Sequence, residues 1–519
     1  MRTLARISVL LTLAVAAAGC ATEPSTPPAV GDRVTVAQGG LRGTDDRTVV
    51  AFQGIPYAAP PTGAARWTAP RPADAWPGER DATRPGPRCP QTGPSGALLG
   101  DEDCLTLAVH GPSGTRSGAK RPVLVWIHGG GLNVGGADET DPRRLVTEGG
   151  IVVVSINYRL GALGFLSVPG LPGGGTFGLR DQQLALRWVQ QNIAAFGGDP
   201  GRVTLYGVSA GGDSVCSHLA SPASRGLFHR AILGSSACHG TNALDTLRPG
   251  LGPAADTWKP LPVLDGLGTT YAAGLGCPDA NLDCLRALPT EKVAAANVYY
   301  WSPATGTETL PRRPSEAIAA GEAADVPVLM GIVRDEGASL VAGAYAAPPL
   351  DEARFTEFLS TLAGPRAEAA KAAYPLAGRT PNRAFADVYG DRSFACPNMI
   401  TYRDLGDRVW VYELTEPDLP AFRFTPPPDM AGTTAHGADL SMIFTVLDDP
   451  RPLTEPQQRL ARQMRAYWAA FVTTGEPRAD GAPTWPAYGD PGTQLNLRAG
   501  GTVAEPAEVA AERHHCAVW

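Results

Sequence analysis

Apolar residues are grouped along the chain in short runs that end in glycine-rich turns. Such runs, rich in β-branched residues, are typical of strands buried on both faces of an α/β sheet. Apolar positions also recur with the helical period at Asp181–Ala195, directly after Ser209 and at Gln457–Val472. Strands that alternate with helices predict an α/β fold with a mostly parallel sheet covered on both faces. The predicted strands are Val123–Ile127, Ile151–Ile156, Val203–Tyr206, Ala231–Leu233, Val326–Ile332 and Val409–Leu414.

The N-terminus shows a different pattern, in which basic residues precede one short apolar run. Arg2 and Arg6 stand before the run from Ile7 to Ala18. This run is too short to cross a bilayer core of about 30 Å, and it is typical of a secretory signal. It ends in Ala17-Ala18-Gly19-Cys20, which resembles the lipobox of bacterial lipoproteins. Two interpretations follow: Cys20 is lipidated, or an ordinary Ala-x-Ala site is cleaved and Cys20 is incidental.

These features divide the chain into three parts. Residues 1–19 are predicted to be a signal peptide of the lipoprotein type, and residues 20–30 a tether rich in Pro, Ser and Thr. Residues 31–519 are predicted to form the folded domain. We expect an exported protein that contacts the membrane only through an N-terminal lipid anchor, at the outer face of the bacterial cell membrane, or that is otherwise secreted.

Composition narrows the class of protein further. The chain has 519 residues, of which 43% are hydrophobic and 18% charged, and this balance is typical of a globular protein with a large core. Its length suits either two domains or one large elaborated α/β domain, and we take the second. The 61 glycines and 49 prolines predict many turns and long loops. A net charge of −7 offers no basic surface, so nucleic-acid binding is disfavoured.

One motif supplies a candidate nucleophile. Gly207-Val208-Ser209-Ala210-Gly211 follows the predicted strand Val203–Tyr206 and opens a helix. A G-x-S-x-G sequence between a strand and a helix is a nucleophile elbow, in which the flanking glycines relieve the crowding of a tight turn. Ser209 is therefore expected to expose its hydroxyl group at a helix N-terminus.

A second motif supplies backbone donors. A hydroxyl nucleophile needs a base, and acyl transfer needs hydrogen-bond donors for the developing oxyanion. His128-Gly129-Gly130-Gly131 follows the strand Val123–Ile127. Because its glycines have no side chains, this backbone can turn its N–H groups toward a substrate. We interpret the segment as part of an oxyanion hole.

The acid and the base are sought after the nucleophile, because the catalytic order on this kind of fold is serine, acid, histidine. Asp335-Glu336-Gly337 follows the strand Val326–Ile332 and offers two carboxylates, between which composition does not choose. His436 is the histidine between that loop and the tail pair His514-His515. Elimination therefore makes His436 the candidate base. The tail pair is interpreted as a solvated feature, and no cluster of metal-ligating residues is found.

With these motifs in place, the chain resembles a type-B carboxylesterase, the cholinesterase-like and para-nitrobenzyl-esterase-like branch of the α/β-hydrolases. The resemblance extends from about Val34 to Cys516. Its landmarks occur in the family's order: Gly54-Ile55-Pro56-Tyr57, Glu102-Asp103-Cys104-Leu105, His128–Leu132, Asn157-Tyr158-Arg159-Leu160-Gly161, Gly164-Phe165-Leu166, Asn192–Pro200 and Ser209–Gly212.

The resemblance implies roles that the residues alone leave open. It implies Glu336 as the acid of the triad and Gly130, Gly131 and Ala210 as the oxyanion donors. It also implies disulfides between Cys89 and Cys104, Cys277 and Cys284, and Cys396 and Cys516. Cys216 and Cys238 remain, either as a fourth disulfide or as two buried thiols.

Two departures from the family bear on specificity. Val208 stands before the nucleophile, where the family usually has a glutamate in a buried polar network. The segment between Cys89 and Cys104 has no aromatic residue, although cholinesterases use a tryptophan there to hold a quaternary ammonium group. Choline esters are therefore disfavoured. Four aromatic residues are considered for the gorge wall, with core packing expected for most of them: Trp258, Tyr299, Tyr300 and Trp301.

The sequence thus predicts a serine carboxylic-ester hydrolase that works through an acyl-enzyme and needs neither metal nor organic cofactor. Its expected substrates are small uncharged esters with short to medium acyl groups. One alternative keeps the triad and changes the bond, to a carbamate, an amide or a lactone. Another is a cholinesterase-like binding protein without catalysis, against which the intact Ser209, Glu336 and His436 argue.

Overall fold

A large mixed sheet forms the centre of the protein. The computed structural model describes residues 30–93, 95–240, 244–247, 257–295, 301–421, 425–447, 451–489 and 491–519. The eleven strands of this sheet lie in the order β11-β10-β9-β8-β7-β6-β4-β5-β3-β2-β1. They are β1 (Thr44–Asp45), β2 (Val49–Pro56), β3 (Thr106–Pro112), β4 (Arg121–Ile127), β5 (Val152–Ile156), β6 (Gly198–Val208), β7 (Arg230–Gly234), β8 (Val328–Val333), β9 (Val409–Leu414), β10 (Thr493–Leu497) and β11 (Val503–Pro506).

The strand pairing confirms the predicted α/β fold. All pairs from β5 across to β10 are parallel, whereas β1, β2, β3 and β11 join in antiparallel fashion at the two edges. Each of the six predicted strands is present, and most bounds differ by one or two residues. The larger difference is β6, which begins at Gly198 because a register shift between Gly198 and Val203 extends its pairing with β4.

Helices cover both faces of the sheet. Alternate residues of β4 enter opposite sides: Val123, Val125 and Ile127 belong to one apolar cluster, and Leu124 and Trp126 to the other. This alternation is what a strand buried on both faces requires. The helices are α1 (Arg143–Gly149), α2 (Gly161–Phe165), α3 (Phe177–Asn192), α4 (Ala210–Ala220), α5 (Leu244–Leu247), α6 (Leu261–Gly274), α7 (Leu282–Ala287), α8 (Thr290–Ala295), α9 (Pro314–Ala319), α10 (Gly337–Ala344), α11 (Glu352–Ala363), α12 (Ala367–Ala373), α13 (Pro381–Gly390), α14 (Cys396–Leu405), α15 (Leu440–Ile443), α16 (Glu455–Thr474) and α17 (Ala507–Arg513).

Short elements complete the fold around the sheet. A turn of π-helix, Asp391–Ala395, joins α13 to α14. Smaller sheets pair Arg33–Val36 with Gly39–Arg42 and Glu79–Asp81, Gln91–Thr92 with Leu98–Leu99, Thr140–Asp141 with Thr445–Val446, and Lys259–Pro260 with Ala304–Thr305. Among the described residues, no helix has the length and apolar character needed to span a membrane.

The carboxyl ends of four adjacent parallel strands deliver the segments singled out in the sequence. Ile127 ends β4 before the glycine-rich segment, and Val208 ends β6 before Ser209. Gly234 ends β7, and Val333 ends β8 just before the two candidate acids. In open α/β sheets this edge is where ligands bind. The fold therefore collects the candidate chemistry at one edge.

Four disulfides tie loops to this framework. Cys89 is bonded to Cys104, Cys277 to Cys284, and Cys396 to Cys516. The structure also contains the fourth pair that the sequence left open, Cys216–Cys238, which ties α4 to the segment after β7. Cys20 lies outside the described residues.

Candidate active site

Ser209 occupies a strained turn between β6 and α4. Its backbone has φ 59° and ψ −129°, a conformation that side-chain-bearing residues rarely adopt. The turn is tight enough that a Cβ on Gly207 would lie 2.2 Å from the Gly211 carbonyl oxygen, and one on Gly211 would lie 2.1 Å from that of Ile127. Both positions therefore require glycine. The result is a nucleophile elbow that leaves Ser209 partly exposed.

The glycine-rich segment after β4 lies directly against this elbow. A Cβ added to Gly129 would be 3.2 Å from the Ser209 Cβ and 2.6 Å from the Val208 carbonyl oxygen. Gly130 and Gly131 follow with φ 106° and 62°, which favour glycine. Both line the same cavity as Ser209. Backbone N–H groups from this segment and from Ala210 at the start of α4 are thus available beside the serine.

The structure separates the two candidate acids. The Glu336 carboxylate pairs with the Nδ1 of His436 at 2.5 Å, and its other oxygen accepts the Val333 N–H at 2.9 Å. The neighbouring Asp335 turns away, forming ion pairs at 2.7 Å with Arg334 and 2.8 Å with Arg383.

Asp335 has a structural explanation of its own. Its backbone N–H donates to the Thr434 carbonyl oxygen at 3.1 Å, and its carboxylate accepts the Thr434 N–H at 2.8 Å. A parallel bridge between Asp335 and Ala435 continues this contact. Asp335 thereby holds the loop that precedes His436 next to the loop that carries Glu336, and the acid–base pair forms between them.

The environment of His436 favours the protonated ring. Burial alone would lower the pKa of His436, but the charge and hydrogen bond of Glu336 outweigh it, and Asp439 and Asp213 add to the effect. The pKa of His436 is therefore raised above its usual 6.5. A histidine whose positive charge is stabilised is a stronger base when neutral.

Gly130, Gly131, Ser209 and His436 face one cavity of about 810 Å³. Its volume falls in the range usual for small-molecule sites. Leu340 and Leu440 contribute apolar wall, and Ser209 and His436 both line the space. Three aromatic side chains also line it, namely Trp126, Tyr389 and Phe394.

The cavity's aromatic residues expose little surface, because each packs against other rings. Trp126 is 2% exposed and lies between Tyr206 and Phe444, with ring centroids 4.9 and 5.2 Å away. Phe394 packs against the ring of His436 at 5.2 Å. Tyr389 is 1% and Phe394 8% exposed, so the described aromatic residues of the cavity offer a cation little ring surface.

The aromatic residues singled out in the sequence lie elsewhere. Trp258 is fully buried and donates from its indole N–H to the Ser217 hydroxyl at 2.8 Å. Trp301 is also fully buried and packs edge-on against Tyr271. Both belong to the core. Tyr299 and Tyr300 fall outside the described residues.

Sequence reasoning missed two residues at the site. Asp213 lines the cavity one helical turn after Ser209, and that spacing alone could have pointed to it. Phe394 lies on the π-helical turn, and no local pattern signals its contact with His436. Sequence reasoning was also wrong about His514, which is not a solvated tail residue but a buried one that is 3% exposed. Among the described residues, no group of side chains forms a metal site.

A serine on a strained strand–helix turn and a His–Glu pair, facing one cavity at the carboxyl edge of a mostly parallel sheet, define the class of α/β-hydrolases. Comparison with known proteins narrows this class. Residues 31–519 match the profile of the Carboxylesterase family. The para-nitrobenzyl esterase of Bacillus subtilis (strain 168) is 33% identical over 490 residues, which cover 88% of this chain and 92% of that protein.

Two further similarities agree with that match. Liver carboxylesterase 1 of Oryctolagus cuniculus is 32% identical over 522 residues, covering 90% of this chain and 89% of that one. A solved structure of a PNB esterase superposes with a TM-score of 0.77 at 31% identity, covering 94% of this chain and all of the other. The chain belongs to the carboxylesterase family, and it is a serine hydrolase of carboxylic esters.

Proposed function

We propose that Ser209, His436 and Glu336 form the catalytic triad of this esterase. His436 takes the proton of the Ser209 hydroxyl as its oxygen attacks the ester carbonyl, and it then passes that proton to the leaving alcohol. Glu336 orients the ring and stabilises its positive charge. The observation that carries the proposal is the 2.5 Å bond between Glu336 and His436, on a cavity that Ser209 shares.

The oxyanion and the second half-reaction complete the mechanism. The N–H groups of Gly130, Gly131 and Ala210 donate to the negative oxygen that develops on the attacked carbonyl. After the alcohol leaves, His436 takes a proton from water as the water oxygen attacks the acyl carbonyl. The bond between the acyl carbon and the Ser209 oxygen then breaks, His436 returns the proton to that oxygen, and the acid is released with the triad in its starting state.

We further propose that the substrates are uncharged esters with short to medium acyl groups, preferred over choline esters. Three observations support this class. The cavity is of small-molecule size, its described aromatic residues are at most 8% exposed, and the segment between Cys89 and Cys104 has no aromatic side chain. A quaternary ammonium group therefore lacks the cation–π contact that contributes about 2 kcal/mol when desolvated.

A serine-directed organophosphate tests the nucleophile. We expect peptide mapping to find the adduct on Ser209 and to lose it in Ser209→Ala. Ser339→Ala is the matched control, since Ser339 lines the same cavity, and it should keep the adduct. An adduct on any other residue contradicts the proposal.

A panel of chromogenic esters tests the substrate class. The panel varies the acyl length of the esters and includes a carbamate, an anilide and a lactone. A higher kcat/KM for one of these three than for the esters would reveal a preference for a different bond. Butyrylcholine is compared with its uncharged isostere 3,3-dimethylbutyl butyrate. A kcat/KM for the choline ester about tenfold above that for the isostere contradicts the preference for uncharged esters.

For location we propose export and lipid attachment at Cys20, on the basis of the lipobox-like sequence that ends the apolar run. The full chain expressed in a bacterium should incorporate labelled fatty acid and sediment with membranes. Cys20→Ser should lose both properties, whereas Ser25→Ala in the tether should keep them. A mature N-terminus that is unmodified and distant from Cys20 overturns the anchor.

A further inference from the structure

The cavity contains a carboxyl group that the catalytic mechanism does not use. Asp213 lies in the first turn of α4, and its backbone N–H donates to the Ser209 carbonyl oxygen at 2.9 Å. Its side chain lines the cavity together with Ser209 and His436, although only 8% of the residue is exposed. Within the described part of the chain, no group donates a hydrogen bond to this carboxyl group. Its hydrogen-bonding capacity is therefore open to a ligand in the cavity.

The position of this carboxyl group complements the change at Val208. The apolar Val208 lines the cavity on the strand side of Ser209, at the position where the family usually has a glutamate. Asp213 supplies a carboxyl group on the helix side instead. The cavity thus has a carboxyl group close to the nucleophile, but in a place where a bound substrate can meet it.

We propose that Asp213 is a specificity-determining residue that rejects esters carrying a negative charge in the acyl or alcohol part. The proposal rests on the proposed ester hydrolysis and explains one boundary of its substrate class. An anionic ester would bring its charge into a partly dry cavity that already holds a carboxylate. Repulsion between the two charges inside the cavity should lower kcat/KM for the anionic ester by about tenfold to a hundredfold relative to its uncharged isostere.

The strength of this rejection should depend on pH. Burial raises the pKa of Asp213 to about 7, while attraction to His436 opposes the shift. Asp213 is therefore mostly neutral at about pH 6 and mostly anionic at about pH 8. Glu336 and Asp439 are the other carboxyl groups that act on His436, and their effect on its pKa is the same whichever substrate is assayed. A ratio of rates for two substrates on one enzyme cancels the titration of His436.

Two other titratable groups near Asp213 have partners of their own. Glu139 also lines the cavity, but it forms an ion pair with Arg88 at 3.2 Å. His218, on the same helix, is bound between Ser224 and Gln182, and burial lowers its pKa to about 3. His218 is therefore neutral across the tested range.

Isosteric substrate pairs measure the rejection directly. For the alcohol part the pair is 4-acetoxybenzoate and 4-acetoxybenzamide, and for the acyl part it is phenyl hydrogen adipate and phenyl adipamate. In each pair a carboxylate replaces a carboxamide of the same shape. The selectivity is kcat/KM of the amide divided by kcat/KM of the acid, measured on the full chain between about pH 6 and about pH 8.

Asp213→Asn removes the charge with little change in shape. We expect the selectivity to fall by about tenfold or more in at least one pair at about pH 8, and to become independent of pH. Glu139→Gln is the matched control, because Glu139 faces the same cavity but is already neutralised by Arg88. Its selectivity should stay within about twofold of the unmodified chain.

The outcomes separate this proposal from ester hydrolysis itself. Unchanged selectivity in both pairs in Asp213→Asn overturns the role of Asp213, and so does an equal fall in Glu139→Gln. If Ser209→Ala no longer hydrolyses either carboxamide ester, Ser209 remains the proposed nucleophile, independently of the selectivity measured in Asp213→Asn. Turnover that survives in Ser209→Ala would instead contradict the proposed function.

Discussion

His436 and His514 both have carboxylate partners, and they differ in what their rings can do. His436 is bonded at Nδ1 by Glu336 and lines the cavity. His514 is held at both ring nitrogens, by Asp391 at 2.6 Å and by Glu413 at 3.0 Å. Of these two rings, only that of His436 keeps a nitrogen without a hydrogen-bond partner among the described residues.

The charge of the ring also distinguishes His514 from His436. For His514, burial would lower the pKa, but Asp391 and Glu413 outweigh it and raise the pKa to about 10. His514 is therefore a cation at neutral pH and has no free lone pair to accept a proton. A catalytic base needs one carboxylate, which orients the ring, and one open nitrogen. Two carboxylates turn the same side chain into a structural ion pair.

The two regions are also connected. Asp391 begins the π-helical turn that carries Phe394, and Phe394 packs against the ring of His436. The disulfide between Cys396 and Cys516 joins α14 to the end of the chain beside His514. The C-terminal ion pair therefore supports the wall behind His436. Replacing each of the two histidines by glutamine tests whether this support can be separated from the catalytic role proposed for His436.

The largest expected effect is the loss of turnover in His436→Gln. Without a base, kcat/KM should fall by about 10³ or more, while the chain still folds and loses less unfolding free energy than His514→Gln, because one carboxylate rather than two loses its partner. His514→Gln should keep kcat/KM within about tenfold. Esterase assays and urea titrations of both variants make the comparison. Equal losses of activity would refute the division of roles.

The second effect concerns the two neighbouring acids. Glu336→Gln removes the charge that stabilises the protonated His436, so kcat should fall by about 10³ to 10⁴. Asp335→Asn breaks the ion pairs with Arg334 and Arg383 and should mainly lower stability. Steady-state kinetics of the pair decide between them. A larger loss of kcat in Asp335→Asn than in Glu336→Gln would contradict Glu336 as the acid of the triad.

The third effect is on stability. His514→Gln leaves the buried Asp391 without its cation and Glu413 with Arg513 alone, so the unfolding free energy should fall by about 3 kcal/mol or more near pH 6. Because the folded pKa is raised, this stability is fully present below about pH 6.5 and is lost as pH rises through about 10. Denaturation of the variant and of the unmodified chain across that pH range measures their unfolding free energies, which should converge as pH rises. His515→Gln, at an exposed neighbour, should change little at any pH.

The smallest effect is a shift of the pH–rate profile. His436 must be neutral to act, so kcat/KM should fall as pH drops through its pKa, which lies above 6.5. Asp213→Asn removes one of the charges that raise this pKa, and the acid limb should move to lower pH. Profiles for two uncharged esters should show the same limb. A rate that stays constant down to about pH 5 would exclude a histidine base.

Much of the fold and part of the site were predictable because their signals are local. Buried strands and the strand–turn–helix around Ser209 depend on residues within one or two turns of each other. The glycines at 207 and 211 are required by contacts inside the elbow, so their spacing alone identified it. The order of the triad on this fold leaves three histidines after Glu336, and His436 could be named only by setting aside the tail pair His514-His515.

The sequence by itself determined the strands, the nucleophile elbow and the family resemblance, all of which arise from neighbouring residues. Only the tertiary structure decided which groups meet across long loops. Two adjacent carboxylates differ because one faces His436 and the other faces Arg334 and Arg383. His514 is buried where two segments distant in sequence, those of Asp391 and Glu413, meet it. Charge and burial depend on that convergence, and no pattern along the chain encodes it.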